Sequence, residues 1–440
     1  MRRMLNALFG ALLAVMGTCS LWAGGELLLA MHDPALGGPE PAAPTWRWHR
    51  ALTPVYEQWA RHRLAGSAAA QLPLDDIAGT EWPLFGSVYY LRATENLDRA
   101  WQRSPTGARP AEYARGAIDA AADLVADPSQ AHWVMQHWGA TSYLHRENVF
   151  YRMLLIDAIA TQWRILHATP HAALLREQVD AFAEELSVSS NGLLADYPQQ
   201  TFPADVAAAW HAILRADEVL GTDHRESVPK VVRGFINAMA PDRELPPYAW
   251  FGDPPEATSV RGSANAWLLH QAPFLWPDQA RAWAAADNRR FWQESTWMSG
   301  YREYDKSDAS PTGMDVDSGP IVAGLGASAS AFGIGAARSL GDSARARVLA
   351  LEGIAVSLPL PNGRLLLPRL ASDAVDAPLL GEAAMLYNLT QAPAPGFEAT
   401  SPQSLPIPAF AWVVLSLQLL FGVLVLRSGM ERIVRSMRPR

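Results

Sequence analysis

Apolar residues recur at intervals of three and four through most of the chain, as in "FYRMLLIDAIATQWRIL" (150–166) and "DVAAAWHAILRADEVLG" (205–221). That spacing lays a hydrophobic stripe along a helix. Alternating runs of strand period are scarce, and loops bearing Pro, Gly, Asp and Asn separate the helical stretches. About twelve or thirteen helices are expected between residues 46 and 389. Their number suits an all-α fold, six helical hairpins closed into an (α/α)6 toroid around a central cavity. A stacked solenoid would show self-similarity at a fixed period, and none is visible.

Both ends depart from this amphipathic pattern. Met4 to Gly25 are 22 residues without a charge, and Ile407 to Leu426 supply another 20. Each is long enough for ~30 Å of hydrocarbon at ~1.5 Å per residue. "SLWAGG" lacks the small residue three before a cut after Ala23, and Thr18 spoils a lipid-attachment site at Cys19, so a retained anchor is expected. The chain therefore divides into an N-terminal transmembrane anchor (1–31), a Pro/Gly-rich linker (32–45), the barrel domain (46–389), a return linker (390–406), a C-terminal transmembrane helix (407–426) and a basic tail (427–440).

Charge sets the orientation. Arg2 and Arg3 precede the first segment, and Arg427, Arg432, Arg435, Arg438 and Arg440 follow the second, which places both termini in the cytoplasm and the domain outside it. This predicts a protein of the inner (cytoplasmic) membrane with two spans. The flanks 1–26 and 427–440 carry these seven arginines against Glu26 and Glu431, a balance of +5, so the total of −8 leaves −13 on the intervening domain. Such a domain repels nucleic acid, which is excluded as a partner. Cys19 is the only cysteine and lies in the first apolar segment, so the domain has no disulfide, thiol nucleophile or cysteine-held metal.

Four stretches, in order, resemble the linalool dehydratase/isomerase family. "ENVFYRMLLIDAIATQW" (147–163) is similar to its E-N-x-x-Y helix. "GLLADYPQQTFPADVAAAWHAILRADEVLGTDHR" (192–225) is similar to its G-(apolar)2 turn, its P-x-x-x-F and its G-T-D-x-R turn. "SANAWLLHQAPFLWPDQARAW" (263–283) and "GLGASASAFGIGAARSLGD" (324–342) are similar to later inner helices. Coverage runs as patches from about residue 80 to 389. The resemblance implies an (α/α)6 barrel and a cofactor-independent acid–base site for a small alcohol. The family's two catalytic cysteines fall here on Ala195 and, with one residue inserted, Asp205, and its histidine falls near Leu154. Its thiol- and imidazole-dependent mechanism therefore cannot operate unchanged.

Carboxylates and tyrosines are the chemistry that remains. Asp196, Tyr197 and Asp205 precede or open a helix whose first position is Pro203. An acid in a first turn is favoured by the helix dipole alone, by ~0.3–1 kcal/mol. By the resemblance, however, this loop faces the cavity, making Asp205 and Asp196 candidate catalytic groups and Tyr197 a substrate contact. Glu147 follows Tyr143, His145 and Arg146; it either complements a helix start or acts in proton transfer, with Tyr143 as a contact. Tyr89 or Tyr90 matches a family tyrosine loosely, with Glu81 the only acid nearby, and Tyr89 is the candidate. The loop "GYREYDKSDASPTGMDVDSGP" (300–320) reads as solvated, yet Asp315 or Asp317 beside small residues is a candidate for a dry carboxyl of raised pKa. Asp317 is the choice of the two, with Arg302 and Tyr304 as contacts.

Two motifs carry less. Gly324-x-Gly326-x-x-Ala329 has a dinucleotide spacing but reads as close helix packing. His132 and His137 are five apart, which splays them around a helix and argues against a metal site. No cofactor is expected.

Three function classes fit: an acid–base lyase or isomerase on an alcohol-like molecule, a glycan-active (α/α)6 enzyme, and a non-catalytic envelope binding or assembly protein. The orientation is tested by alkaline phosphatase fusions. One joined after residue 395 should be active and one after residue 440 inactive; the reverse pattern refutes it.

Overall fold

The computed structural model describes residues 2–437 except 67, 74–75, 190–191, 240–242, 309–311, 316 and 400–406. Residues 400–406 of the return linker, 438–440 of the tail and the side chain of Asp315 thus lie outside the described residues. In chain order, α1 (Arg2–His32) and α2 (Ala43–Gly66) are followed by the single turn α3 (Ile77–Thr80), α4 (Trp82–Arg103), α5 (Pro110–Tyr113), α6 (Arg115–Ala126), α7 (His132–Trp138), α8 (Val149–Leu166) and α9 (Ala172–Val188). Then come β1 (Gln200–Thr201), α10 (Pro203–Leu220), α11 (Val228–Ala238), β2 (Trp250–Phe251), β3 (Glu256–Ala257), α12 (Gly262–Leu275) and α13 (Pro277–Arg290). The strands β4 (Trp292–Gln293), β5 (Gly300–Tyr301), β6 (Gly313–Asp315), β7 (Gly319–Val322) and β8 (Leu325–Gly326) lead to α14 (Ala327–Ser339), α15 (Ser343–Ser357), α16 (Leu366–Ala374), α17 (Leu380–Thr390) and α18 (Ala409–Met437).

The protein is mostly helical, as the periodicity requires. Helices α4, α8, α10, α12, α14 and α17 each pack against the next, and α17 packs back on α4. Their burial explains their composition: α8 and α12 are buried at nearly every position, so their apolar residues run all round and no single stripe stands out. Helices α2, α6, α9, α13, α15 and α16 lie against this inner set; α6 and α16 carry a clear amphipathic pattern, whereas α15 is buried at most positions.

The strands form three small antiparallel sheets that the periodicity did not reveal: β1-β2-β3, β4-β5 and β6-β7-β8. Two or three residues cannot show an alternation. They sit in the loops that enter α10, α12 and α14.

One charge network crosses the inner helices. Arg215 on α10 donates to Glu95 on α4 at 2.6 Å and to Asp157 on α8 at 3.1 Å, Arg164 donates to Glu95 at 2.6 Å, and Arg92 lies 3.2 Å from Asp157. Burial would raise the Glu95 carboxyl, but Arg215, Arg164 and Arg92 hold it well below the usual carboxylate range. Each buried charge here has its partner, the condition under which such a network is tolerated.

Helices α1 and α18 are each long and apolar enough to cross a bilayer. They pack antiparallel through glycines seven apart. A Cβ on Gly17 would lie 2.5 Å from the backbone N of Leu426, and one on Gly422 would lie 2.7 Å from Leu21. Gly10 faces Gly429 in the same way. Small residues let the backbones touch, while Leu8, Leu12, Leu417, Leu420 and Leu424 stay exposed.

The stretch expected as an N-terminal linker is fastened to the domain. Asp33 caps the turn Pro34–Leu36 and accepts from Ala43 N at 3.0 Å. Arg338, buried at the end of α14, donates to the carbonyls of Leu36 at 3.1 Å, Glu40 at 3.1 Å and Gln391 at 2.6 Å. That one side chain ties both connecting segments, and a backbone bond from Ala394 N to Ser339 O at 2.9 Å holds the second one as well.

The start of α12 is held as tightly. A Cβ on Gly262 would lie 1.9 Å from the carbonyl oxygen of Arg302, a backbone atom that cannot step aside. Gly262→Ala should therefore cost about 1–3 kcal/mol in chemical denaturation, while Gly66→Ala, with open space around it, should be neutral. Equal stabilities would contradict this packing.

Candidate functional site

The loops entering α4, α10, α12 and α14 bring acids together that lie far apart in sequence. Glu81 stands at the N-cap of α4, but its carboxyl does not cap that helix. It reaches across to the loop before α10, where the Tyr197 hydroxyl donates to Oε1 at 2.6 Å. Asp205 lies in the first turn of α10, behind Pro203 at its first position. Its Oδ1 accepts the indole N–H of Trp267, on α12, at 2.9 Å. The dipole of its own helix is thus not the whole explanation of Asp205.

Asp196 is fully buried. Its Oδ2 accepts Phe202 N at 2.7 Å, while Oδ1 has no hydrogen-bond partner. The turn 196–200 that holds it is closed by Asp196 N to Gln200 O and Gln200 N to Tyr197 O, each 2.8 Å.

Burial is the main electrostatic cause here, and mutual repulsion adds to it. Burial pushes the Glu81 carboxyl up to about 7; the Tyr197 hydroxyl opposes this, and Asp317 and Asp205 reinforce it. Asp205 is also pushed up to about 7 by burial, with the Trp267 hydrogen bond opposing and Asp317 adding. Burial, then Asp205, raises Asp196 well above its ordinary value. Against these stand the converging helix N-termini, whose partial positive charge favours an anion. Crowded acids over positive helix ends share protons, so acid and carboxylate coexist near neutrality.

Aromatic rings wall the space beneath. Tyr89 stacks on Tyr387 at 5.3 Å and Trp267 meets Phe85 edge-on at 5.3 Å, with Phe332 at 5.4 Å. The Tyr89 hydroxyl is buried without a hydrogen-bond partner, and Asp205 is among the charges that raise its pKa. Between Phe85, Met153, Leu154, His211 and Trp267 there is room for about one water molecule. His211 and His270 are buried and neutral, the latter held down at about 3 by burial and by Arg92.

The rim is built on Glu303, which is fully buried. It accepts Arg261 Nε at 2.7 Å and Ser263 Oγ at 2.8 Å, while its carbonyl accepts Gly262 N at 2.8 Å. Arg261 lies over the Tyr248 ring at 4.7 Å and the Tyr304 ring at 5.8 Å. Tyr248 in turn donates to Asp317. Gly326 packs against Glu303, where a Cβ would stand 2.9 Å from Oε2, so the glycine pattern there serves close packing.

The sequence candidates divide accordingly. Asp205, Asp196 and Tyr197 stand together, Tyr89 lies below them, and Tyr304 is at the rim. Asp317 is also at the rim, but its side chain is 48% exposed, so the expected dry carboxyl is not what the fold provides. Glu147 is drawn to α9 instead: its backbone N donates to Glu185 at 2.9 Å and its carbonyl accepts Arg152 at 3.1 Å. Tyr143 is buried against Tyr151 at 5.9 Å. Arg302 turns to Gln293 at 2.8 Å and packs under Gly324, away from the acids. Sequence reasoning passed over Glu81 as a candidate, together with Trp267, Tyr248, Arg261 and Glu303. Glu81 before "WP", a helix-start signal, was the one available clue. Among the described residues no three His, Cys, Asp or Glu are arranged to hold a metal ion.

No family model matches the chain, and no curated protein matches it.

The raised acids make stability depend on pH with a defined sign. A carboxyl whose folded pKa exceeds its unfolded value adds no cost below about pH 4 and opposes folding increasingly as pH rises through about 7. Buried His211 and His270 pull the other way, since they must stay neutral as pH falls. The difference between Asp205→Asn and the parent isolates the acid: the variant should gain in melting temperature relative to the parent between about pH 5 and pH 8. A constant difference across that range would mean Asp205 titrates normally.

Proposed function

We propose that this chain is a membrane-anchored extracytoplasmic enzyme, a divergent linalool dehydratase/isomerase-like (α/α)6 toroid that eliminates or moves water on a small alcohol-like molecule without a cofactor. The cyclic succession α4, α8, α10, α12, α14, α17 and back to α4 supports the toroid. The observation that carries the function is two acids, Glu81 and Asp205, each pushed up to about 7 and each held by an aromatic donor, Tyr197 and Trp267. Ala195, in the place of a family cysteine, adjoins this pair through Asp196, and Leu154, near the histidine's place, lines the space below.

Elimination of water needs a proton donor for the departing hydroxyl and an acceptor for the neighbouring C–H proton. With both pKa values near 7, one group is available as acid while the other is ionised. In this reading protonated Asp205, oriented by the Trp267 N–H, gives its proton to the hydroxyl. The C–O bond breaks and water leaves. Glu81, whose anion accepts the Tyr197 hydroxyl, takes the C–H proton as the double bond forms. Hydration runs the same steps backwards, and the aromatic walls stabilise positive charge developing on carbon. The space between Phe85, Met153, Leu154, His211 and Trp267 holds about one water molecule, so a small alcohol enters only as these side chains move apart, and a polymeric glycan has no groove there.

The test is turnover and solvent deuterium exchange of a panel of small tertiary and allylic alcohols by the protein in nanodiscs. Asp205→Asn and Glu81→Gln should each lower the rate by ~10²–10⁴-fold with unfolding unchanged or shifted upward. Exchange that survives in both variants contradicts the assignment.

A further inference from the structure

The hairpin between β4 and β5 has an exposed tryptophan at its tip. Trp297 is 64% exposed, and its place beside the apolar helix α18 is what gives that exposure meaning. Its backbone carbonyl accepts Phe410 N at 2.9 Å, in the first turn of α18. The hairpin thus supplies a partner to one of the open N–H groups that every helix start presents. At its base, Ser299 N donates to Glu352 of α15 at 2.9 Å, and α15 packs against both α1 and α18.

The two long helices fix the depth of that contact. Their glycine register sets Gly24 against Leu419 and Leu415. Two residues beyond Gly24, Glu26 is buried in an ion pair with Arg47 of α2, and Arg47 also lies 5.4 Å from the Trp22 ring centre. An ion pair with the first helix of the domain marks where the hydrocarbon ends. Phe410 is five residues before Leu415, or ~7.5 Å farther out at ~1.5 Å per residue, and Glu26 is ~3 Å beyond Gly24, so Phe410 lies ~4–5 Å past the ion pair, within a headgroup layer ~5–7.5 Å thick on each side. Trp22 and Trp412 are 39% and 46% exposed at this same end of the pair. Tryptophan is the residue that prefers this layer, with its ring in the acyl boundary and its N–H toward headgroups.

We infer that Trp297 is a third membrane contact: the β4–β5 hairpin rests in the outer headgroup layer beside Trp22 and Trp412, and its partner is the lipid surface. The inference rests on α1 and α18 spanning the bilayer, and it adds an orientation for the domain. Strand β5 runs straight into Arg302 and Glu303, so the residue that holds Arg261 and the start of α12 is one short strand away from lipid. The domain carries a strong negative balance, so the contact requires the apolar boundary and not anionic headgroups.

The test uses the full-length chain with Cys19→Ser, which removes the only cysteine, reconstituted in phosphatidylcholine nanodiscs. A bimane label is placed by Trp297→Cys, Trp412→Cys, Leu420→Cys or Val188→Cys, and lipids carrying a doxyl group near the headgroup or deep in the chain are the quenchers. The label at 297 should lose fluorescence to shallow doxyl lipid as much as the label at 412 does. The label at 188, 72% exposed on α9 in the parent, should lose none. Quenching at 420 by deep doxyl lipid reports the span by itself, so absence of quenching at 420 overturns the spanning reading. Quenching at 420 and 412 with none at 297 overturns the hairpin contact alone. A label at 297 shielded from aqueous iodide yet untouched by doxyl lipid would mean a protein covers it, which also overturns the proposal.

Discussion

Three carboxyl groups that water would hold apart are forced together at the starts of the inner helices, and the site depends on that crowding. Asp196 is sealed in a five-residue turn, Asp205 is pinned by an indole N–H, and Glu81 is drawn in by a tyrosine. Repulsion and lost hydration oppose the arrangement. What permits it is the positive starts of α4 and α10, where Glu81 and Asp205 sit, together with the option of retaining a proton. The same features that make the cluster costly for folding give it groups that titrate near neutrality.

The cluster persists because the scaffold around it is over-determined. Arg92, Arg164 and Arg215 lock α4, α8 and α10 to one another about four turns along α4 from Glu81. Glu303 fixes the start of α12 through a side chain and a backbone carbonyl at once. Arg338 binds both segments that connect the domain to its apolar helices. The glycine faces of α1 and α18 then make those helices a single unit. A domain so fastened is held close to whatever α1 and α18 are embedded in.

Much of this was legible in the chain before its fold. The helices followed from spacing, and Pro203 made the position of Asp205 at a helix start readable. The apolar ends were plain from uncharged length. Helical periodicity reports which face is buried but not which distant helix it meets, so the partnership of Glu81 with Tyr197, 116 residues apart, left no local trace. Trp267 lies in an apolar stretch where nothing local marks it as the partner of Asp205, 62 residues away. Glu147 was misleading for a comparable reason: its backbone is claimed by buried Arg152 on α8 and by Glu185 on α9, and the second, 38 residues away, leaves no trace in its immediate sequence. Asp317 precedes small residues, yet its side chain stays half exposed, and the close packing nearby is that of Gly326 on Glu303.

The central claim, that Glu81 and Asp205 keep protons far above the ordinary carboxylate range, is measured most directly by infrared difference titration of the protonated carboxyl stretch. The account predicts a carboxyl band that disappears with a midpoint near 7 and that is reduced in Glu81→Gln and in Asp205→Asn. A spectrum with no protonated carboxyl above about pH 5, or a band indifferent to both substitutions, would contradict it.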